Sequence, residues 1–233
     1  MIGRFIICKK CNAQNQLSSL NCLNCSQILR DRVVNLDFLK IVSLLIENPV
    51  KGFNYIILSE NKNFITLFLF FFIFKTSLLN YSISPYLGLY IRYFPLTLFY
   101  TVIITILLIV FIIILTKFLF RLILVKLRIK DYFALIIYPL FPFFFSLVLL
   151  SLLELAVFGN YLFEISPTPF EIKPALAYIF VIFEILLLLW SLVLYVIAFQ
   201  RIIQSKLLSA VIGVIGFFII VVLPHLVLFN IVR

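Results

Sequence analysis

Four apolar runs, at about 96–120, 132–158, 174–199 and 207–232, dominate this 233-residue chain. Each is long enough to cross a bilayer as a helix, which needs about 20 consecutive apolar residues. A fifth run, 64–81, is shorter and rich in phenylalanine. It spans if residues 61–63 and Tyr81 lie at the interfaces. In hydrocarbon every backbone amide must be satisfied within the protein, so runs of this length are expected to be helices. Composition agrees: 65% of residues are hydrophobic and 12% charged, with a mean hydropathy of +1.25. That is more apolar side chain than one water-soluble core can hide. The expected fold is all-α: a polytopic membrane bundle of about five transmembrane helices, with a small N-terminal zinc-ribbon-like knuckle. Residues 1–32 form the knuckle, 33–62 an amphipathic interfacial segment and 63–233 the transmembrane domain.

The net charge of +10 does not point to nucleic acid, because the charges fall between apolar blocks. Basic residues beside membrane helices follow the positive-inside rule and attraction to anionic lipid. With a cytoplasmic N-terminus, that side holds Arg4, Lys9, Lys10, Arg30, Arg32, Lys40, Lys51, Lys62, Lys117, Arg121, Lys126, Arg128, Lys130, Arg201 and Lys206. These are fifteen of the nineteen Lys and Arg residues. Lys75, Arg92, Lys173 and Arg233 remain, with Glu164 and Glu171 on the far side. The expected topology is N-terminus in, five spans, C-terminus out, in a bacterial inner membrane or a eukaryotic ER or Golgi membrane. Residues 1–7 are too short for a signal-peptide core, so no cleaved leader is expected.

In 35–47, Asp37, Lys40, Ser43 and Glu47 recur every three or four positions among apolar residues, which predicts an amphipathic helix. Asn48-Pro49 should end or bend it. Such a helix lies in the cytoplasmic interface or packs beneath the bundle as core, and the pattern allows either.

Cys8-Lys9-Lys10-Cys11 and Cys22-Leu23-Asn24-Cys25 give the spacing C-x2-C-x10-C-x2-C. Each pair sets two thiolates on one turn, and two pairs complete a tetrahedral sulfur shell suited to zinc. Cys8, Cys11, Cys22 and Cys25 are therefore the expected ligands of a structural Zn2+, and Lys9 and Lys10 offset its excess negative charge. The alternative is a pair of disulfides, which a reducing cytoplasm disfavours. With four protein ligands no coordination position stays open for catalysis. Asn12 and Ser26 stand where a glycine often follows the second cysteine, a place that needs the left-handed backbone.

Lys75, Glu154 and Glu184 lie inside apolar runs, where charge is costly and usually faces a partner or a cavity. Lys75 and Glu184 sit at similar depth, so an ion pair between Lys75 and Glu184 or Glu154 is expected; a proton or substrate site is the functional alternative. The lone His225 receives no role. Ser205, Ser209, Gly213 and Gly216 mark a close-packing seam, within the chain or between copies. No nucleophile elbow, Walker loop or zinc-protease motif occurs, so no enzyme is expected.

Three stretches resemble the Yip1 domain family over about residues 45–230. They are Glu47-Asn48-Pro49-Val50-Lys51-Gly52-Phe53, the segment from Asp131-Tyr132-Phe133-Ala134 to Tyr138-Pro139-Leu140-Phe141-Pro142, and Leu189-Trp190-Ser191-Leu192-Val193-Leu194-Tyr195. A second resemblance is to the ARV1 homology domain of sterol-homeostasis proteins. It rests on the four cysteines, Asp31-Arg32-Val33-Val34-Asn35-Leu36-Asp37 and Phe53-Asn54-Tyr55-Ile56-Ile57, though that family separates its cysteine pairs by a longer loop. The Yip1 resemblance implies a non-enzymatic scaffold or adaptor in membrane organisation or trafficking. Its partners would be the bilayer, other membrane proteins, a second copy of the chain, and small GTPases if the eukaryotic family role applies. The ARV1 resemblance implies a transporter or a lipid- or sterol-handling protein that uses the intramembrane charges. The two readings separate on whether those charges pair with each other or line a cavity.

Overall fold

A computed structural model of the chain describes residues 6–15, 19–29, 33–84, 93–122, 127–164 and 166–232. Arg4, Arg30, Asp31, Arg32, Arg92, Lys126 and Arg233, which carry part of the charge pattern and motifs above, lie outside the described residues. The N-terminal module holds one antiparallel pair, β1 (Ile6–Ile7) and β2 (Gln14–Asn15), with Ile6 opposite Asn15 and Ile7 opposite Gln14. A second, shorter pairing joins Asn21 to Ile28. Beyond a parallel bridge between Val33 and Ser59, the other regular elements among the described residues are helical.

Two short helices follow, α1 (Phe38–Glu47) and α2 (Pro49–Leu58). Asp37 starts α1 by accepting the Lys40 N–H at 3.0 Å. Asn48 closes α1 through its own N–H to Leu44, then caps α2 by accepting the Lys51 N–H at 3.1 Å. Pro49 occupies the first turn of α2, where a missing N–H costs nothing. The predicted break at Asn48-Pro49 is thus one residue serving two helix ends. The inner faces are core: Ile41, Leu45, Phe53 and Ile56 are fully buried, and Phe38 packs its ring against Phe64, Phe68 and Phe144. The outer face of the pair keeps Leu39, Ile46 and Val50 exposed.

Among the described residues, five helical segments are long and apolar enough to cross a membrane. The first two are α3 (Ile65–Ile83) and α4 (Phe94–Leu122). The third differs from expectation. The apolar run 132–158 predicts one span, but α5 (Ile129–Ile137) is a separate helix, a 3₁₀ turn covers Tyr138–Leu140, and the span runs from Pro142 to Phe163. Pro139 and Pro142 each remove a backbone donor, so the helix cannot continue through them. Asp131, Tyr132, Ala134, Leu135, Ile136 and Ile137 of α5 are buried, while Ile129 and Lys130 at its start are exposed, so the helix enters the bundle by its C-terminal half. Carbonyls beside the break find side-chain donors: Tyr195 Oη donates to Ile136 O at 2.6 Å and Ser191 Oγ to Pro139 O at 2.9 Å.

The third span comprises α6 (Pro142–Phe145), a π-helical turn at Ser146–Ser151, and α7 (Leu152–Phe158) ending in a 3₁₀ turn. After the short α8 (Pro169–Ile172), α9 (Pro174–Gln200) is the fourth span. The fifth joins α10 (Lys206–Phe217), a π-helical turn at Phe218–Val222, and α11 (Leu223–Val232). Ile182, Phe183, Leu186, Leu189 and Val193 project from α9 and stay about half exposed. In water such a face is a liability; against lipid tails it is an ordinary surface. The protein is an all-α integral membrane bundle with a small cysteine module.

The small-residue seam closes inside the chain, between α9 and α10. A Cβ on Gly213 would stand 2.8 Å from the Val196 Cα, so the helix backbones meet there. Ser209 is fully buried on the same side, whereas Ser205 caps the start of α10.

Candidate functional site

The four cysteines converge. Their Sγ atoms all lie within 4.8 Å of one another, with Cys8 to Cys25 and Cys11 to Cys22 each at 3.5 Å, and all four thiols are free. A tetrahedral zinc with bonds of about 2.3 Å sets its sulfurs about 3.8 Å apart, so the donor set fits such an ion. The two knuckles are built alike. Cys8 N–H donates to Ala13 O and Asn12 N–H to Cys8 O; Cys22 N–H donates to Gln27 O and Ser26 N–H to Cys22 O. Asn12 and Ser26 adopt φ of 55° and 57°, the left-handed backbone that the sequence required of them.

Backbone N–H groups of Cys11 and Lys10 aimed at the Cys8 sulfur hold its thiol below the usual range. The Cys25 and Asn24 amides, against an opposing burial effect, hold Cys22 at about 6. Cys25 is drawn down by the Gln27 amide, but the neighbouring Cys11 and Cys8 sulfurs and burial push it up to about 12. Sulfurs this close cannot all ionise without a cation between them, which is the electrostatic condition for metal binding. Asn15, which the sequence did not single out, links the knuckles. It accepts the Leu23 N–H at 2.9 Å and donates to Ala13 O at 2.9 Å and to Cys22 Sγ at 3.5 Å. Donors behind metal ligands fix their orientation in this way.

Inside the bundle Lys75 pairs with Glu184 as expected. Lys75 Nζ donates to Glu184 Oε1 and to Ser151 Oγ, both at 2.6 Å, and the Glu154 carboxylate stands 3.9 Å away. Ser146 Oγ donates to the far side of Glu184, 2.7 Å from Oε2. Ser146 and Ser151 meet there because the turn between them is π-helical. Its hydrogen bonds run over five residues, so side chains five apart share a face. In an α-helix they would diverge.

The same charges also line a cavity of about 600 Å³ bounded by α3, the third span, α8, α9 and the fifth span. Its walls are otherwise largely apolar, among them Leu78, Phe143, Phe158, Phe180 and Val221. On α9, the lining residues Val181, Ile185 and Leu188 are exposed. Both π-helical turns border this space. Pro224 follows the second and lacks the donor that an α-helical bond would use, which favours the wider turn there. His225, given no role from sequence, lines the cavity with its Nδ1 2.5 Å from Asn80 Oδ1.

A second ion cluster has no counterpart in the sequence reading. Lys62, a loop charge by sequence, and Asp131 are buried 3.2 Å apart, and Arg128 reaches both Asp131 oxygens at 3.0 Å. Lys62 also donates to the carbonyls of Ile56, Ile57 and Ser59, and Arg128 to Ile57 and Ser59. Two cations thus sit at the C-terminus of α2, where the helix carbonyls favour them. The cluster ties α2 and the start of α3 to α5.

Family models, curated proteins and solved structures contain no match to this chain.

Proposed function

We propose that this is a non-enzymatic membrane protein that binds a lipid-like amphiphile between its helices, with its N-terminus cytoplasmic and zinc in the sulfur cluster. One observation carries the reading. The intramembrane charges pair with each other and also form one polar end of an otherwise largely apolar cavity, whose α9 edge is exposed. Small-molecule sites occupy about 300–1,000 Å³ and combine apolar walls with a few polar anchors, and this cavity falls within that range. The orientation rests on the excess of Lys and Arg assigned to the N-terminal side.

The experiment is photolabelling of the protein in nanodiscs with a photoreactive alkyl probe. Saturable label on Phe143, Leu155 and Val181, competed by unlabelled amphiphile, supports the reading. Label spread over lipid-facing residues such as Phe111 and Ile114 in proportion to exposure, without competition, defeats it. Cysteines placed at Lys130 and Pro167 should label from opposite sides, Lys130 from the cytoplasm.

The scaffold or adaptor reading, with its Yip1 resemblance and trafficking role, is favoured by a different feature. Ile7, Leu23 and Ile28 stand 62%, 82% and 70% exposed on the cysteine module, apolar tips suited to another membrane protein. Cross-linking from Leu23 to a membrane partner would support it.

A further inference from the structure

The charges at the polar end of the cavity do not balance. One amine, Lys75, faces two carboxyl groups, Glu154 and Glu184, in a region where unpaired charge is costly. Lys75 is already committed: Glu184 and Ser151 take its close contacts at 2.6 Å. Glu184 is committed as well, to Lys75 and to Ser146. Glu154 is different. Its 3.9 Å separation from Lys75 is too long for a hydrogen bond, and no other donor among the described residues reaches it. Its carboxylate faces the cavity with 19% of the side chain exposed.

We infer that the cavity takes a single-chain amphiphile with a protonated amine head, and that Glu154 receives that head while the chain lies along the apolar wall. The inference rests on the amphiphile reading above and names its ligand class. An ammonium supplies both the missing positive charge and the donors Glu154 lacks. A sulfate or phosphate head would meet two carboxylates and a lysine whose close contacts are filled. An alcohol would bring a donor but no charge.

The full chain in phosphatidylcholine nanodiscs carries the photoreactive alkyl probe, which is displaced with dodecylamine, dodecanol or dodecyl sulfate. Hydrogen bonds to a charged group are worth about 1.5–3 kcal/mol, so dodecylammonium should displace the probe at least about tenfold more effectively than dodecanol, with dodecyl sulfate weakest. Glu154→Gln should abolish the preference, and Glu154→Asp, which keeps the charge, should retain most of it. Three probes displacing equally would overturn the amine assignment and leave the cavity reading standing. No displacement by any of them would remove the cavity reading itself. A preference that survives Glu154→Gln would overturn the role of Glu154.

Discussion

Replacing Lys75 by Met removes a nearly enclosed ammonium, whose side chain is 5% exposed, and strands Glu184, whose side chain is 22% exposed. Breaking a buried ion pair from one side typically costs about 3–5 kcal/mol, and the partial exposure of Glu184 places this variant near 3 kcal/mol. Glu184→Gln should cost less, about 2 kcal/mol, because Ser151 stays bonded to Lys75 and Glu154 is close enough to move in. The double variant, Lys75→Met with Glu184→Gln, strands neither member of the pair. Its cost should fall about 2 kcal/mol short of the sum of the singles, within the coupling range of directly contacting residues. Trp190, the single tryptophan, stacks on Phe145 and reports unfolding by fluorescence. Denaturant titration in mixed micelles gives the four free energies of the cycle. Adding Glu154→Gln to Glu184→Gln should lower stability further, since it removes the substitute partner. Strict additivity of Lys75→Met and Glu184→Gln would show that the 2.6 Å contact carries no coupling and that the pair does not hold these helices together.

Metal analysis should find one zinc per chain, lost when Cys22 and Cys25 are both changed to Ser. Zinc binding requires thiolates, so occupancy should be full in mild alkali and fall as pH drops, with Cys22, held down to about 6, and Cys8, also lowered, resisting protonation longer than Cys25; metal release to a colorimetric chelator follows the loss. Asp131→Asn removes the carboxylate 3.2 Å from the buried Lys62 ammonium and should cost about 3–5 kcal/mol in the same unfolding titration, more than Arg128→Gln, which removes a cation that is one-third exposed. Gly213→Ala places a methyl 2.8 Å from the Val196 Cα and should cost about 1–3 kcal/mol by forcing α9 and α10 apart.

The features that could be read from sequence are those whose cause is local. Long apolar runs gave the spans, Asn48-Pro49 the break between α1 and α2, and the C-x2-C spacing the sulfur cluster. Lys75 and Glu184 were matched because helical rise converts residue count into depth. The Lys62–Asp131–Arg128 cluster escaped because its residues look like ordinary loop charges; only the packing of α5 into the bundle buries them. The separation of α5 from the third span was signalled by Pro139 and Pro142, but an unbroken apolar run outweighed them. The π-helical turn that brings Ser146 and Ser151 together leaves no periodic trace in six residues. His225 and Asn80 are far apart in sequence and meet only once α3 and α11 are packed. The cavity is a space between several elements, and no stretch of sequence encodes it alone.

Native mass spectrometry of the purified protein, released from nanodiscs in gentle detergent, tests the intramembrane cavity most directly. Val181 lines that cavity and is 41% exposed, so Val181→Phe enlarges a side chain there on α9 without touching a charge. An amphiphile site predicts one tightly retained lipid-like molecule on the wild-type chain and its loss from Val181→Phe, with zinc content and unfolding midpoint little changed. Equal retention by the two proteins, or retention by neither, would contradict an amphiphile site among these helices.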